Sequence, residues 1–435
     1  MLVYLDHLNA RSRYTFKTVF KSFLQFEEIQ LTKDEEKFKA YEGPKLSYGS
    51  KKVVSELHFQ ASGLLSKKGI NELKVEVGEY KNIPTLFPFQ NAQVSALPFD
   101  VFSAVFFMLS RYEEYLPHRR DRHDRFMAEE GIAFKHKFLQ TAVVDRWIIL
   151  IGELIETTFS ELNIQERYYR HLPTVDIDNA YAYLQKGLLR QVGSLSRSVV
   201  QMNWLRLQNQ VEVLLGRRKD PFDTFNYLRN LQKKHKIKPI YFFLLADYGI
   251  NDKNISYQNR KFQGIIKTVA DYAEIGIHPS YASNARRKKL GSEVRRLERI
   301  VKREVVKSRQ HFLKLKLPDT YRNLIDHDIA EDHTMGFAEY PGFRAGTCTP
   351  YLFYDLDEEV ERKLLIVPFQ LMDATLKYYM KVDIDQAQDE VHKIIDEVKA
   401  VKGTFISLWH NESLSEEEEW KGWRKVYEDL LSYAQ

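Results

Sequence analysis

Leu172-Pro173-Thr174-Val175-Asp176-Ile177-Asp178 is a short, largely apolar run that closes on two carboxylates. It reads as a buried strand with chemistry at its C-terminal end. Working outward, residues 239–246 (PIYFFLLA) are almost continuously apolar, as in a strand covered on both faces. Further strands are predicted at 274–278, 306–312, 329–333, around 364–367 and at 403–410. Between them lie helical patterns at 290–305, 319–325 and 386–399. Alternating strands and helices imply an α/β fold with a parallel sheet, open or closed into a barrel.

Polar residues fall at the ends of these strands. Asp176 and Asp178 end the first, and His278 ends the third. Arg309, His311, Asp332, His333 and His410 fall near the ends of later ones. The C-terminal ends of parallel strands lie on one rim, so residues distant in sequence are expected to converge there. Asp176 and Asp178 are two positions apart and point to the same face of a strand. Two carboxylates that close disfavour each other's charge unless a proton or a cation lies between them. One resolution is a divalent metal held by one carboxylate while the other serves as a general base. The other is a solvated turn in which Asp178 or Asn179 caps a helix.

Upstream, the pattern differs. Residues 100–116 predict a helix with an apolar stripe and Asp100 as its N-cap. A very polar loop follows at 118–125, then an amphipathic helix at 144–163. A boundary near 165 divides the chain into an N-terminal α/β domain, 1–165, and a second domain, 166–435. The helix at 290–305 carries Arg295, Arg296, Arg299 and Arg303 away from its apolar stripe, a solvated face. The acidic run 416–419 reads as the first turn of the last helix.

Composition excludes several classes. Basic residues number 65 against 60 acidic, a balance that does not point to nucleic acid. The single cysteine, Cys348, rules out an intrachain disulfide and a cysteine zinc cage. The first residues show neither a secretory signal nor a membrane anchor, so the expectation is a cytoplasmic protein with no integral membrane segment.

In order, Thr-x-Asp-x-Asp, Gly-Ile-His-Pro-Ser, Arg-x-His-Phe, Asp-x-x-Met-Gly and Ser-Leu-Trp-His resemble the five motifs of the NodB-homology polysaccharide deacetylases, also called carbohydrate esterase family 4. The resemblance covers about 170–435, and the stretches around 100–117, 308–324 and 342–356 look like a bacterial subgroup with an extra N-terminal domain. It implies a distorted (β/α) barrel, a carbohydrate substrate and a divalent metal, zinc first. By resemblance, Asp176 is the catalytic base and Asp178 the metal-binding aspartate. His278 is the first metal histidine, Arg309 orients the base, and His410 is the acid that protonates the leaving group. Asp332 matches a fourth-motif acidic residue.

The chain departs from the pattern in two places. The second carboxylate stands one residue later than usual, and the histidine four residues after the first is replaced by Ala282. His333 or His311 must then complete the metal site; His333 is assigned to it, while His311, where the family usually has proline, is assigned with Arg344 to the substrate. The expected activity is hydrolytic removal of acetyl groups from N-acetylated sugars in a polysaccharide or glycolipid precursor. The alternatives are a metal-dependent glycosyltransferase using Asp176 and Asp178, and a catalytically dead glycan-binding protein.

Overall fold

The computed structural model describes residues 1–54, 57–90, 94–162, 164–186, 202 and 204–435. Strands β1 (Leu2–Leu5), β2 (Gln30–Thr32), β3 (Lys45–Gly49) and β4 (Leu57–Gln60) form a small parallel sheet in the order β2-β1-β3-β4. A hairpin of β5 (Val77–Tyr80) and β6 (Ile83–Leu86) follows. The helix Val101–Leu109 is capped at Asp100, whose carboxylate accepts from Ser103 N at 2.9 Å. It is buried at every position rather than along one stripe, because it is sandwiched. The Phe106 ring lies 6.2 Å from Tyr14 and 5.2 Å from Tyr354, and Phe102 lies 4.2 Å from Phe16 and 5.2 Å from Phe59. The helix is also shorter than its pattern, since Arg111 turns left-handed (φ 53°) and lays its guanidinium on Glu114.

The large sheet takes the order β12-β13-β11-β10-β9-β8-β7-β15-β14. Its members are β7 (Arg170–Ile177), β8 (Ile240–Leu244), β9 (Glu274–His278), β10 (Lys307–Ser308), β11 (Glu331–Asp332), β12 (Tyr351–Asp355), β13 (Val360–Ile366), β14 (Leu371–Met372) and β15 (Thr404–His410). Every pairing is parallel except β12 with β13. Helices Arg260–Ala270, Arg287–Val301 and Ile384–Ala400 turn apolar faces toward the core. One apolar core runs from the small sheet into the large one.

Residues 367–370 carry the chain from β13 to the opposite edge of the sheet, β14. If the sheet were flat, those strands would stand ~34 Å apart at ~4.8 Å per strand. The link reaches at most ~18 Å. The sheet is therefore rolled, and Phe369 N donates to Met335 O at 3.1 Å across the approach. No strand ladder closes it among the described residues, so the finding is a rolled parallel sheet rather than a closed barrel. Its rolling brings the C-terminal strand ends together. No helix among the described residues is long and apolar enough to cross a membrane.

The helix expected at 144–163 runs Val143–Thr158, the strand expected at 329–333 is only Glu331–Asp332, and other expected elements differ too. The strand expected at 306–312 stops at Ser308, because Phe312 and Leu313 turn left-handed (φ 60° and 52°). The expected helix 290–305 ends at Val301, where Lys302 takes a left-handed cap. The acidic run 416–419 precedes the last helix, Trp423–Tyr433, instead of opening it.

Candidate active site

Alternation along β7 sends Val175 and Ile177 into the core on one side and Thr174 and Asp176 to the other. Thr174 Oγ1 donates to Ser407 O at 2.7 Å and accepts from Arg309 Nη1 at 2.6 Å. The same Nη1 donates to Asp176 Oδ1 at 3.1 Å, and Arg309 Nε donates to His333 O at 2.9 Å. The guanidinium is fully buried between the Phe242 and Phe369 rings, 4.8 and 5.5 Å away. Asp176 is thus fixed by one oxygen while the other, Oδ2, lies 3.8 Å from His278 Nε2.

Asp178 does share that face: its Oδ1 is 3.3 Å from His278 Nε2 and its Oδ2 is 3.5 Å from His311 Nε2. Candidate ligand atoms of Asp178, His278 and His311 all fall within 4.8 Å of one another. Both rings are oriented from behind. His278 Nδ1 donates to Arg309 O at 2.5 Å, and His311 Nδ1 donates to the Asp252 carboxylate at 2.9 Å. A carbonyl or carboxylate partner fixes the proton on Nδ1 and leaves Nε2 with a free lone pair.

The charged groups of this cluster hold one another. Burial alone would lower His311, but the carboxylates of Asp178 and Asp252 on either side push it up to about 9. Burial alone would raise Asp178, yet the two imidazoles hold it well below the usual carboxylate range. Asp178 Oδ1 is buried without a hydrogen bond. Two imidazole nitrogens braced from behind and a carboxylate oxygen left without a hydrogen bond suit a zinc site with an open fourth position.

The loop after His278 is tied to the same cluster. Tyr281 N and Ala282 N donate to the Asp252 carboxylate at 2.8 and 3.2 Å. Asp252 therefore ties the loop around Ala282 to His311. Replacing Asp252 by Asn is expected to weaken zinc binding ~10–100-fold, the usual effect of removing such a brace. Competition against a chromophoric chelator measures this, and unchanged affinity would discard the bracing role.

His410 ends β15 across the site. Its Nδ1 donates to Asp373 Oδ1 at 2.8 Å, its backbone N donates to Asp373 Oδ2 at 2.8 Å, and the Ser413 hydroxyl adds a third bond to that carboxylate. Burial would lower His410, but Asp373, with Asp178 and Asp176 behind it, raises it well above its ordinary value. These carboxylates favour the imidazolium, the form suited to giving a proton. Activity that needs this proton is lost as pH rises through the raised pKa. Asp373→Asn should move the basic limb of the pH–rate profile to lower pH, whereas an unmoved limb would separate His410 from the acid step. Glu412, two residues on, is pushed up to about 7 by burial and then by Asp178. A cavity of about 270 Å³ beside it is lined by Tyr183, Phe222, Tyr378, Glu412 and Trp420.

Four expected site residues have other surroundings than expected. His333 does not reach the cluster: its ring lies against Phe242 (5.1 Å) and its Nε2 is 3.5 Å from Glu331 Oε2. Burial, above all, lowers it to about 4. His311, expected at the substrate, is the residue that joins Asp178 and His278 instead. Asp332 is fully buried and accepts from Ser308 Oγ, Thr334 N and Thr334 Oγ1 at 2.7–2.9 Å, bracing β10 against β11. Arg344 grips Glu114 with Nε at 2.9 Å and Nη2 at 2.7 Å, a buried ion pair to the N-terminal region rather than a substrate contact. Asp252, Asp373 and Glu412 were not expected from the sequence.

A family of unknown function, DUF7033, matches residues 1–160. No curated protein matches the chain. Among solved structures, the chain is similar to a Mycobacterium smegmatis protein held to be a polysaccharide deacetylase, at 12% identity over 62% of this chain and 85% of that one, with a TM-score of 0.41. It is similar to a polysaccharide deacetylase of Bacillus cereus at 10% identity over 61% and 86%, with a TM-score of 0.30. A pseudoenzyme of carbohydrate esterase family 4 from Bacillus anthracis also matches, at 10% identity over 61% and 62%, with a TM-score of 0.31.

Proposed function

We propose that this protein hydrolyses the amide of N-acetylated sugars in a polysaccharide or glycolipid precursor. The observation that carries this reading is one rim holding three separately braced groups. These are a carboxylate fixed by a buried arginine, a cluster of Asp178, His278 and His311, and an imidazolium paired with Asp373. Amide hydrolysis needs a base for water, charge stabilisation at the carbonyl and an acid for the amine.

Asp178, His278 and His311 would hold a divalent metal, zinc first. A bound metal supplies Lewis acidity, polarising the carbonyl and lowering the pKa of water to about 7. Asp176 takes a proton from the attacking water through the oxygen that Arg309 leaves free. The water oxygen bonds to the carbonyl carbon as the carbon–nitrogen bond breaks. His410 gives its proton to the departing nitrogen, so the products are acetate and an amino sugar. A glycosyltransferase reading leaves Arg309 and His410 without a task.

Acetate release from N-acetylglucosamine tetramer by the full chain, with zinc supplied, tests the reading. Release that stops on chelation is expected. Binding of the tetramer with no release under zinc, manganese, cobalt or nickel would contradict it.

A further inference from the structure

The polar loop 117–126 belongs to the N-terminal region yet stands on the rim of the large sheet. It is a tight hairpin, with a bridge between Arg120 and Phe126 and Asp121 N donating to Arg125 O at 3.0 Å. The Asp121 carboxylate fills the turn, accepting from His123 N, Arg125 N and Arg125 Nε at 2.7–2.9 Å. Asp124 takes the left-handed conformation (φ 62°) that such a turn needs and Asp tolerates. Arg125, itself buried, pins the hairpin down: Nη1 donates to Phe312 O at 2.9 Å and Nη2 pairs with Glu339 at 3.1 Å. The loop is therefore a fixed wall.

That wall adjoins the candidate metal cluster. The His123 ring is 4.9 Å from Phe312 and 5.8 Å from Tyr281, and Phe312 is 4.6 Å from His311. Lys314 Nζ sits 4.3 Å from the Tyr281 ring. Carboxylates nearby are engaged, Asp121 and Glu339 by Arg125. Arg122 is exposed, its Nε donates to His123 Nε2 at 3.1 Å, and neither it nor Lys314 has a carboxylate partner among the described residues. The local excess of positive charge is felt by His123, which burial, then Arg125, Arg122 and Lys314 lower against the pull of Asp121. Phe312 thus touches His311, with Tyr281 and then Lys314 reached outward from it on one side and His123 and then Arg122 on the other.

We propose that loop 117–126 is a wall of the substrate site, where Arg122 and Lys314 bind an anionic group of the glycan, a carboxylate or sulfate on the sugar next to the N-acetylated one. The Tyr281 and Phe312 rings, 5.5 Å apart and edge to face, pack together beside these cations and offer their outer surface to the sugar. This gives the N-terminal region a task in selecting substrate, and it rests on the deacetylase reading for the identity of the ligand as a glycan. Preorganised cations favour a ligand of opposite charge, and the preference weakens with salt.

Calorimetric titration of the full chain tests this without needing turnover. The probes are the neutral N-acetylglucosamine tetramer and a tetrasaccharide alternating N-acetylglucosamine with glucuronic acid. Binding of the acidic probe about ten-fold tighter at low salt is expected, with that margin shrinking as salt rises. The Arg122→Ala, Lys314→Ala double variant should lose the margin and keep its affinity for the neutral probe. Equal affinity for both probes, binding of neither, or a double variant that keeps the margin would overturn the proposal. Acid-selective binding without acetate release would instead overturn the deacetylase reading alone, and release without acid selectivity would overturn this inference alone.

Discussion

Asp176→Asn is expected to lower kcat for amide hydrolysis by about 10²–10⁴-fold, the range that a positioned general base contributes. Asn has nearly the same shape, so the water and the sugar should still bind, but its amide cannot take up a proton. The metal ligands are untouched, so zinc content should stay at the wild-type level. The substitution also removes the charge that Arg309 faces at 3.1 Å, and a fully buried guanidinium is costly without its partner. A lowered Tm is therefore expected alongside the kinetic loss. Reading both separates the two roles: full kcat in a destabilised Asn variant would make Asp176 a structural counter-ion only.

Arg344→Met should cost stability rather than catalysis, by about 3–5 kcal/mol, as when one partner of a buried ion pair is removed. Arg344, Glu114 and Arg111 are each no more than 4% exposed, and Glu114 is shared between the two guanidiniums. Burial alone would raise Glu114, but the two arginines bring it down to about 2. Its stabilising contribution is thus fully present above the unfolded value of about 4.5 and is lost as pH falls toward 2. Denaturant unfolding at pH 7 should show the full gap between wild type and variant, and the gap should close across that acid window. A variant with native stability but a raised KM would return Arg344 to the substrate.

The parts of the site that were legible in the sequence are those governed by strand parity. Asp176 and Asp178 share a face because β7 is a regular strand up to Ile177, and His278 and His410 each end a strand of five residues or more. The choice between His311 and His333 lay beyond parity. The strand before His311 is two residues long, and the left-handed turn at Phe312 and Leu313 redirects the chain just where the ring must be placed. Asp373 follows another strand of two residues, too short to leave a pattern. Asp252 lies in an irregular loop and becomes meaningful only when His311 and the backbone at 281–282 meet on it. Arg344 finds its partner 230 positions away, a pairing that no local pattern contains.

In the function proposed here, His311 stands in for the absent histidine and completes a metal site with Asp178 and His278. Anomalous X-ray scattering at the zinc edge, from crystals of the full chain grown with zinc, tests it most directly. The expected result is one strong peak within bonding distance of a carboxylate oxygen of Asp178 and of Nε2 of both His278 and His311. A peak on His333 in place of His311, or no peak on the rim at saturating zinc, would contradict it.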